Sequence, residues 1–351
     1  GAGTPPPELA GRSELIRLGT IALERVAQGR PNQSLILVGL RGVGKTVLLN
    51  KIHQISEEIG FKATLIEAHE GKSLPEILSP VLRSMLLSIS FLDNAKEKTQ
   101  RALRALKGFI SNVKVSVGDV DFSLGMDSEP GLADSGDIEN DLPDLLTAVA
   151  EAAKAANKPL ALFIDELQYI TEAEFSALIM AIHKINQKQL PLIMIGAGLP
   201  QIRALAGNSK SYSERLFRYP EIGALELEDA LSAVRNPAIA EGVRFSDEAI
   251  GRIMDTTQRY PYFLQQWAYE AWNVADSTMI NLPDIEKASM LAIRELDQSF
   301  FKVRYERCTP AERKYMRALA EFGRGRHRSG DIAEKMKVKV TSVAPIRNTL
   351  I

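Results

Sequence analysis

The chain has 351 residues, 45% of them hydrophobic and 25% charged, with a formal net charge of −1. That is the balance of an ordinary globular protein of two or three domains, and no apolar run approaches the roughly eighteen residues of a membrane span. A lone Cys308 excludes a disulfide framework within the chain, and four scattered histidines give no zinc-site spacing.

The opening, GAGTPPPELAGR, carries no basic-then-apolar leader and no initiator Met. With the single cysteine, this predicts a cytoplasmic protein whose natural start lies upstream. ELAGRSEL, Glu8 to Leu15, reads as a tight turn capped by Ser13. Leu35 to Val38 then reads as a short buried strand, and after it comes GLRGVGKT, which fits the phosphate-loop pattern G-x-x-x-x-G-K-[ST]. Val47, Leu48, Ile52 and Ile55 recur at roughly helical spacing, so the loop opens a helix.

A strand, a glycine-rich turn and a helix start make an anion site, because backbone N–H groups and the helix dipole converge on negative charge. Gly39, Gly42 and Gly44 are expected to let the backbone close on phosphate. Leu40, Arg41, Val43 and Val47 complete the nucleotide-binding stretch. Lys45 is expected to reach the β and γ phosphates of a nucleoside triphosphate, and Thr46 to ligate Mg²⁺.

Ala63 to Glu67 reads as another strand, followed by helices over Pro75–Leu92 and Ala95–Ile110. VKVSVGDVDFSLG then alternates strictly, which predicts an inserted β-hairpin near 110–135 turning at Gly118-Asp119. The acidic stretch Asp127 to Asp141 is expected to be a mobile loop. Leu160 to Ile164 is a buried strand ending in Asp165-Glu166. Such a strand brings one carboxylate, Asp165, to Mg²⁺ and leaves the next, Glu166, to polarise an attacking water. Gln168, in DELQ, could steer that water, but the preferred reading is that it faces solvent.

Thr171 and Glu174 form a capping-box pattern for a helix with the apolar stripe Phe175, Leu178, Ile179, Ile182 and Ile185. Leu192 to Ile195 is the next strand, followed by GAGLP, and a last strand is expected around Glu221 to Leu225. Alternating β and α units predict an α/β fold. Its core, residues 1–225, is a parallel-sheet P-loop NTPase of the additional-strand, catalytic-Glu type, with helices on both faces.

Residues 226–282 read as a helical lid, in which Tyr260, Tyr262, Phe263, Trp267 and Trp272 are expected to be core. Pro283 to Arg307 reads as one connecting helix. Thr309-Pro310-Ala311-Glu312 is a strong helix start. Tyr315, Met316 and Leu319 should then pack with Ile332, Ala333 and Met336 and with Val343, Ile346 and Leu350 in a helix-turn-helix. Pro345 should fall within the first turn of a helix opening at Thr341 or Ser342.

Residues 301–351 hold 13 Lys/Arg against 5 Asp/Glu, whereas the rest of the chain is acidic. This charge makes duplex DNA a candidate partner, with Arg324, Arg326, Arg328, Lys335, Lys337, Lys339 and Arg347 as phosphate contacts. Docking to protein is the alternative.

Taken together, these motifs resemble the AAA+ and STAND group of P-loop ATPases, in particular the archaeal-type and origin-recognition branch. The resemblance covers nearly the whole chain. It implies ATP/ADP and Mg as ligands, ATP hydrolysis, a nucleotide-dependent homo-oligomer, and a C-terminal winged helix over 283–351 whose wing would follow Ile351. By the same resemblance, Leu9, Gly11 and Arg12 frame the adenine. Arg215, or second to it Arg218, in SYSERLFRYPEI reaches a neighbouring subunit's nucleotide. Pro261, in TQRYPYF, occupies the lid position where many relatives carry a sensor-2 arginine. Two departures point to a slow switch: Gly196-Ala197-Gly198 where a polar sensor-1 residue is usual, and that proline. Two functions stay open, a DNA-associated ATPase switch and a STAND-type signalling or defence ATPase.

Overall fold

The protein is described here from a computed structural model covering residues 9–112, 128–209, 213–323 and 325–350. The chain divides into two compact units, the first ending at Asp229 and the second beginning at Ala230.

In the first unit α1 (Ser13–Ala27) leads to β1 (Ser34–Val38), the glycine-rich loop and α2 (Lys45–Ile59). Next come β2 (Lys62–Glu67), α3 (Leu74–Ile89), α4 (Lys96–Asn112) and α5 (Ile138–Ala155). β3 (Leu160–Asp165), α6 (Glu172–Gln187), β4 (Leu192–Gly198), α7 (Ile202–Ser209), α8 (Ser213–Leu216) and β5 (Phe217–Arg218) complete it. The strands form one parallel sheet in the order β2-β3-β4-β1-β5. Every residue of β1, β3 and β4 is buried, as expected of central parallel strands covered on both faces. Alternation sorts β3: Phe163 meets His53 of α2 edge-on, whereas Leu162 and Ile164 join the core built by α3 to α6.

Helix starts are fixed by side chains. Thr171 and Glu174 form the expected capping box, and Ser73 and Glu76 form a second one before α3. Glu174 does more than cap, because its other oxygen accepts from the Leu74 N–H at 2.6 Å and ties the starts of α3 and α6 together.

The hairpin expected over Val113–Leu124 lies outside the described residues. Other expectations are corrected. Between 128 and 137 the acidic stretch folds as a hydrogen-bonded turn, and its last residues already belong to a helix: buried Asp141 accepts from Ser135 N, Ser135 Oγ and Gly136 N at 3.0, 2.8 and 2.8 Å. It leads into α5, which the sequence reading did not identify and which packs on α4 and α6. The last strand is Phe217–Arg218, followed by a single bridge from Val38 to Glu221, so it precedes the expected position and Leu225 is not in it.

The second unit contains most of α9 (Leu227–Ala240), then β6 (Arg244–Phe245), α10 (Asp247–Thr257), α11 (Pro261–Val274), β7 (Met279–Ile280) and α12 (Leu282–Glu295). A π-helical turn, Leu296–Phe301, joins α12 to α13 (Lys302–Arg307), so the connecting helix is continuous but bulged. Trp267 is buried and donates to Ser289 Oγ at 2.9 Å, whereas Trp272 is exposed. Tyr262 stacks on Phe300 with centroids 4.9 Å apart.

α14 (Pro310–Ala320), α15 (Ser329–Met336) and α16 (Val340–Leu350) close a small core of Tyr315, Ala318, Ile332, Ala333, Met336 and Val343. Ala318 takes the place expected for Met316. α16 starts at Val340, so Pro345 sits in its second turn. The carbonyl it leaves unbonded belongs to exposed Thr341, where water can serve it.

Candidate active site

The carboxyl ends of adjacent parallel strands form a ledge, and β1, β4 and β3 end there side by side. The phosphate loop follows β1. Gly42 and Gly44 have φ of 84° and 92°, and Gly44 is the N-cap of α2, so both supply left-handed backbone. Gly39 has a packing role besides the one expected. A Cβ there would lie 2.2 Å from the Ile222 carbonyl oxygen. Its missing side chain lets residues 220–222 bond to β1, through Val38 N to Pro220 O at 2.9 Å and Ile222 N to Val38 O at 2.7 Å.

Lys45 is buried, and its Nζ donates to Leu40 O at 2.9 Å. Burial holds this ammonium below the ordinary lysine range, opposed by the Glu166 and Asp165 carboxylates. Thr46 Oγ1 donates to Asp165 Oδ2 at 2.6 Å, and Glu166 N donates to Asp165 Oδ1 at 2.8 Å. Burial pushes the Asp165 carboxyl up, and these two hydrogen bonds oppose it. Two hard oxygens converging beside a phosphate loop suit Mg²⁺, which takes few protein ligands and leaves its other positions to phosphate and water.

Glu166 has φ 53° and ψ 39°, a left-handed conformation for a residue that carries a side chain. The chain then turns through Leu167–Tyr169. Tyr169 accepts from Arg41 at 2.8 Å, linking the two halves of the ledge. Gln168 does not simply face solvent. Its amide Nε2 donates to Glu166 Oε2, and its Oε1 accepts from Leu199 N at 3.1 Å.

At the other flank Arg12 is buried and donates to Val43 O at 3.2 Å and Gly223 O at 2.8 Å. Desolvation lowers its pKa, and Asp229 opposes the shift. Gly11 has φ 67°, and a Cβ there would meet Asp229 Oδ2 at 2.7 Å. Hence Gly11 and Arg12 are packed against the phosphate loop and the start of α9, with Leu9 half-buried just ahead of them.

A family model described as AAA ATPase domain matches residues 8–195, more than half of the chain. The chain belongs to the AAA ATPase family. A second model, described as a domain of unknown function (DUF8462), matches residues 298–351. No curated protein matches the chain. Among solved structures it is similar to Cdc6p from Pyrobaculum aerophilum, at 16% identity and TM-score 0.51, covering 100% of this chain and 88% of that one. It is also similar to the Aeropyrum pernix ORC1 protein solved in complex with DNA, at 14% identity and TM-score 0.50, covering 98% and 84%. At these identities the likeness is one of fold.

Within this AAA ATPase fold Gly39 to Val47, Asp165 and Glu166 come together as the sequence expected. Arg215 and Arg218 do not join them. β5 runs parallel to β1 with Phe217 beside Ser34 and Arg218 beside Leu35, at the amino end of β1. About four residues of strand, roughly 13 Å, separate that level from the phosphate loop. Arg218 Nε donates to Gln33 Oε1 at 2.8 Å, and exposed Arg215 lies on α8 just before the strand. Pro261 heads α11 in the second unit, after Gln258 and Arg259, which both have positive φ. The sequence reading weighed Gln168 as a residue that steers the water and preferred a solvent-facing one; what it missed is the pair of hydrogen bonds to Glu166 and Leu199. The signal for it was the pairing of DELQ with a strand ending in glycines.

Proposed function

We propose that this AAA ATPase binds Mg-ATP, hydrolyses it to ADP and phosphate, and works as a slow nucleotide-driven switch. One observation carries the reading: the Thr46–Asp165 hydrogen bond joins the phosphate loop to the β3 carboxylates, with Glu166 next in the chain. Loop N–H groups and the N-terminus of α2 hold the β and γ phosphates. Lys45 exchanges the Leu40 carbonyl for phosphate oxygens. Thr46 and Asp165 would hold Mg²⁺, which supplies charge neutralisation on the β and γ oxygens. Glu166 accepts the proton of a water whose oxygen attacks the γ phosphorus. The bond between that phosphorus and the β–γ bridging oxygen breaks, and ADP leaves with its electron pair.

Leu9, Gly11 and Arg12 are proposed to line the adenine, with Arg12 fixing them to the loop through Val43. The position of Arg215 favours action on a neighbouring copy's nucleotide, because its own loop lies at the far end of β1. Pro261 is proposed as a nucleotide-binding residue on the ground of the family resemblance alone. Duplex DNA is the proposed partner of the C-terminal helices. Arg326, Arg328, Lys337, Lys339 and Arg347 are exposed there, whereas Lys335 is paired with Glu321 at 2.9 Å. The DNA bound in the ORC1 structure supports the same direction. Among the described residues no helix is long and apolar enough to cross a membrane.

The test compares Lys45→Ala with Glu166→Gln by isothermal titration and phosphate release. Lys45→Ala should lose ATP binding. Glu166→Gln should bind ATP normally and lose hydrolysis by about 10²-fold or more. Equal hydrolysis in wild type and Glu166→Gln removes Glu166 as the base.

A further inference from the structure

The two glycines that end β4 are shaped by the turn that follows β3. A Cβ on Gly196 would lie 2.3 Å from Leu167 Cδ1, and Leu167 is fully buried. A Cβ on Gly198 would lie 3.3 Å from Gln168 Oε1 and 3.4 Å from Leu167 Cβ. Leu167 and Gln168 therefore fill the space that side chains on the strand end would take. Gly198 also accepts from Gly39 N at 3.2 Å, so this strand end is bonded to the phosphate loop. Residue 198 is thus beside the loop, within reach of a polar group that would monitor phosphate, and it has no side chain to offer.

The Gln168 amide occupies that place with a fixed polarity. Leu199 N–H needs an acceptor and the Glu166 carboxylate needs a donor, and a carboxamide supplies one of each. Glu166 itself sits in left-handed backbone, and its carboxylate oxygen Oε2 accepts from the Gln168 amide.

We propose that Gln168 is a positioning residue that replaces the missing polar side chain at the end of β4: it bridges the end of that strand and Glu166, and aims the carboxylate at the attacking water. This rests on the reading of Glu166 as the base.

The experiment uses the full chain with Mg-ATP. Gln168→Met keeps the length of the side chain and removes both hydrogen bonds. It should lower kcat by roughly 10- to 100-fold, since a misplaced catalytic group costs on that order. The ATP dissociation constant from calorimetry should stay within about twofold, because no phosphate-binding group is touched. In Gln168→Ala, space opens above residue 198. Adding Gly198→Asn there should restore kcat about tenfold over the single variant by returning an amide to the strand end.

Thermal melts confirm folding, and Gln168→Ala stands in if the Met variant does not fold. An unchanged or raised kcat in Gln168→Met, or a loss that tracks weaker ATP binding, overturns the proposal. So does a double variant no faster than Gln168→Ala. Glu166→Gln run alongside separates the two readings. If it stays active, the base assignment fails. If it is inactive while Gln168→Met is normal, only the role of Gln168 fails.

Discussion

Replacing Gly39 by Ala should destabilise the first unit more than it harms phosphate binding, and the size follows from geometry. The new methyl would lie 2.2 Å from the Ile222 carbonyl oxygen and 3.0 Å from Val43 Cγ2, and the first partner is backbone and cannot rotate away. Residues 220–222 must lift from β1, weakening the Val38–Pro220 and Val38–Ile222 hydrogen bonds. Two bonds at about 0.5–1.5 kcal/mol each, plus overpacking of about 1–3 kcal/mol, give a loss of roughly 2–6 kcal/mol. For a unit of this size that is a fall in melting temperature of about 4–24 °C. Gly44→Ala is the control. Nothing lies within 4 Å of its Cβ, but its φ of 92° is unfavourable for alanine. It should cost only about 1–2 kcal/mol in stability and should weaken ATP binding, because the loop must distort. Differential scanning calorimetry and ATP titration of both variants make the comparison. A Gly39→Ala protein melting within a degree of wild type would refute the packing role of that glycine.

Arg215 acting in trans means that ATPase activity per subunit rises with protein concentration, and that mixing Lys45→Ala with Arg215→Ala subunits recovers activity. Flat specific activity across the monomer–oligomer transition, read by light scattering, removes that role. Changing Lys337, Lys339 and Arg347 to Glu should weaken duplex DNA binding equally for all sequences and reduce the salt slope by about three, one for each phosphate contact. No retained DNA at micromolar protein and low salt, with ATP or ADP, would favour a protein partner and the signalling reading.

The grouping of the candidate nucleotide-site residues was legible from sequence because the motif is local. Gly39 to Thr46 are contiguous, a strand and a helix flank them, and Asp165-Glu166 end the one other buried run that closes in paired acids. The start of α14 was legible for the same reason, since Thr309 and Glu312 bond within four residues of each other. What spans the sheet was not. That Gly39 yields to Ile222, that Gly196 yields to Leu167, and that Arg12 reaches Val43 and Gly223 depend on contacts up to 211 residues apart. Gln168 shows the limit best. Alone in the sequence it is a polar residue after two acids, and solvent is its default surroundings. Only the register that sets β4 beside β3 brings Leu199 N–H and a side-chain-free strand end to it. A single residue then serves both an acceptor and a donor that the chain itself keeps more than thirty residues apart.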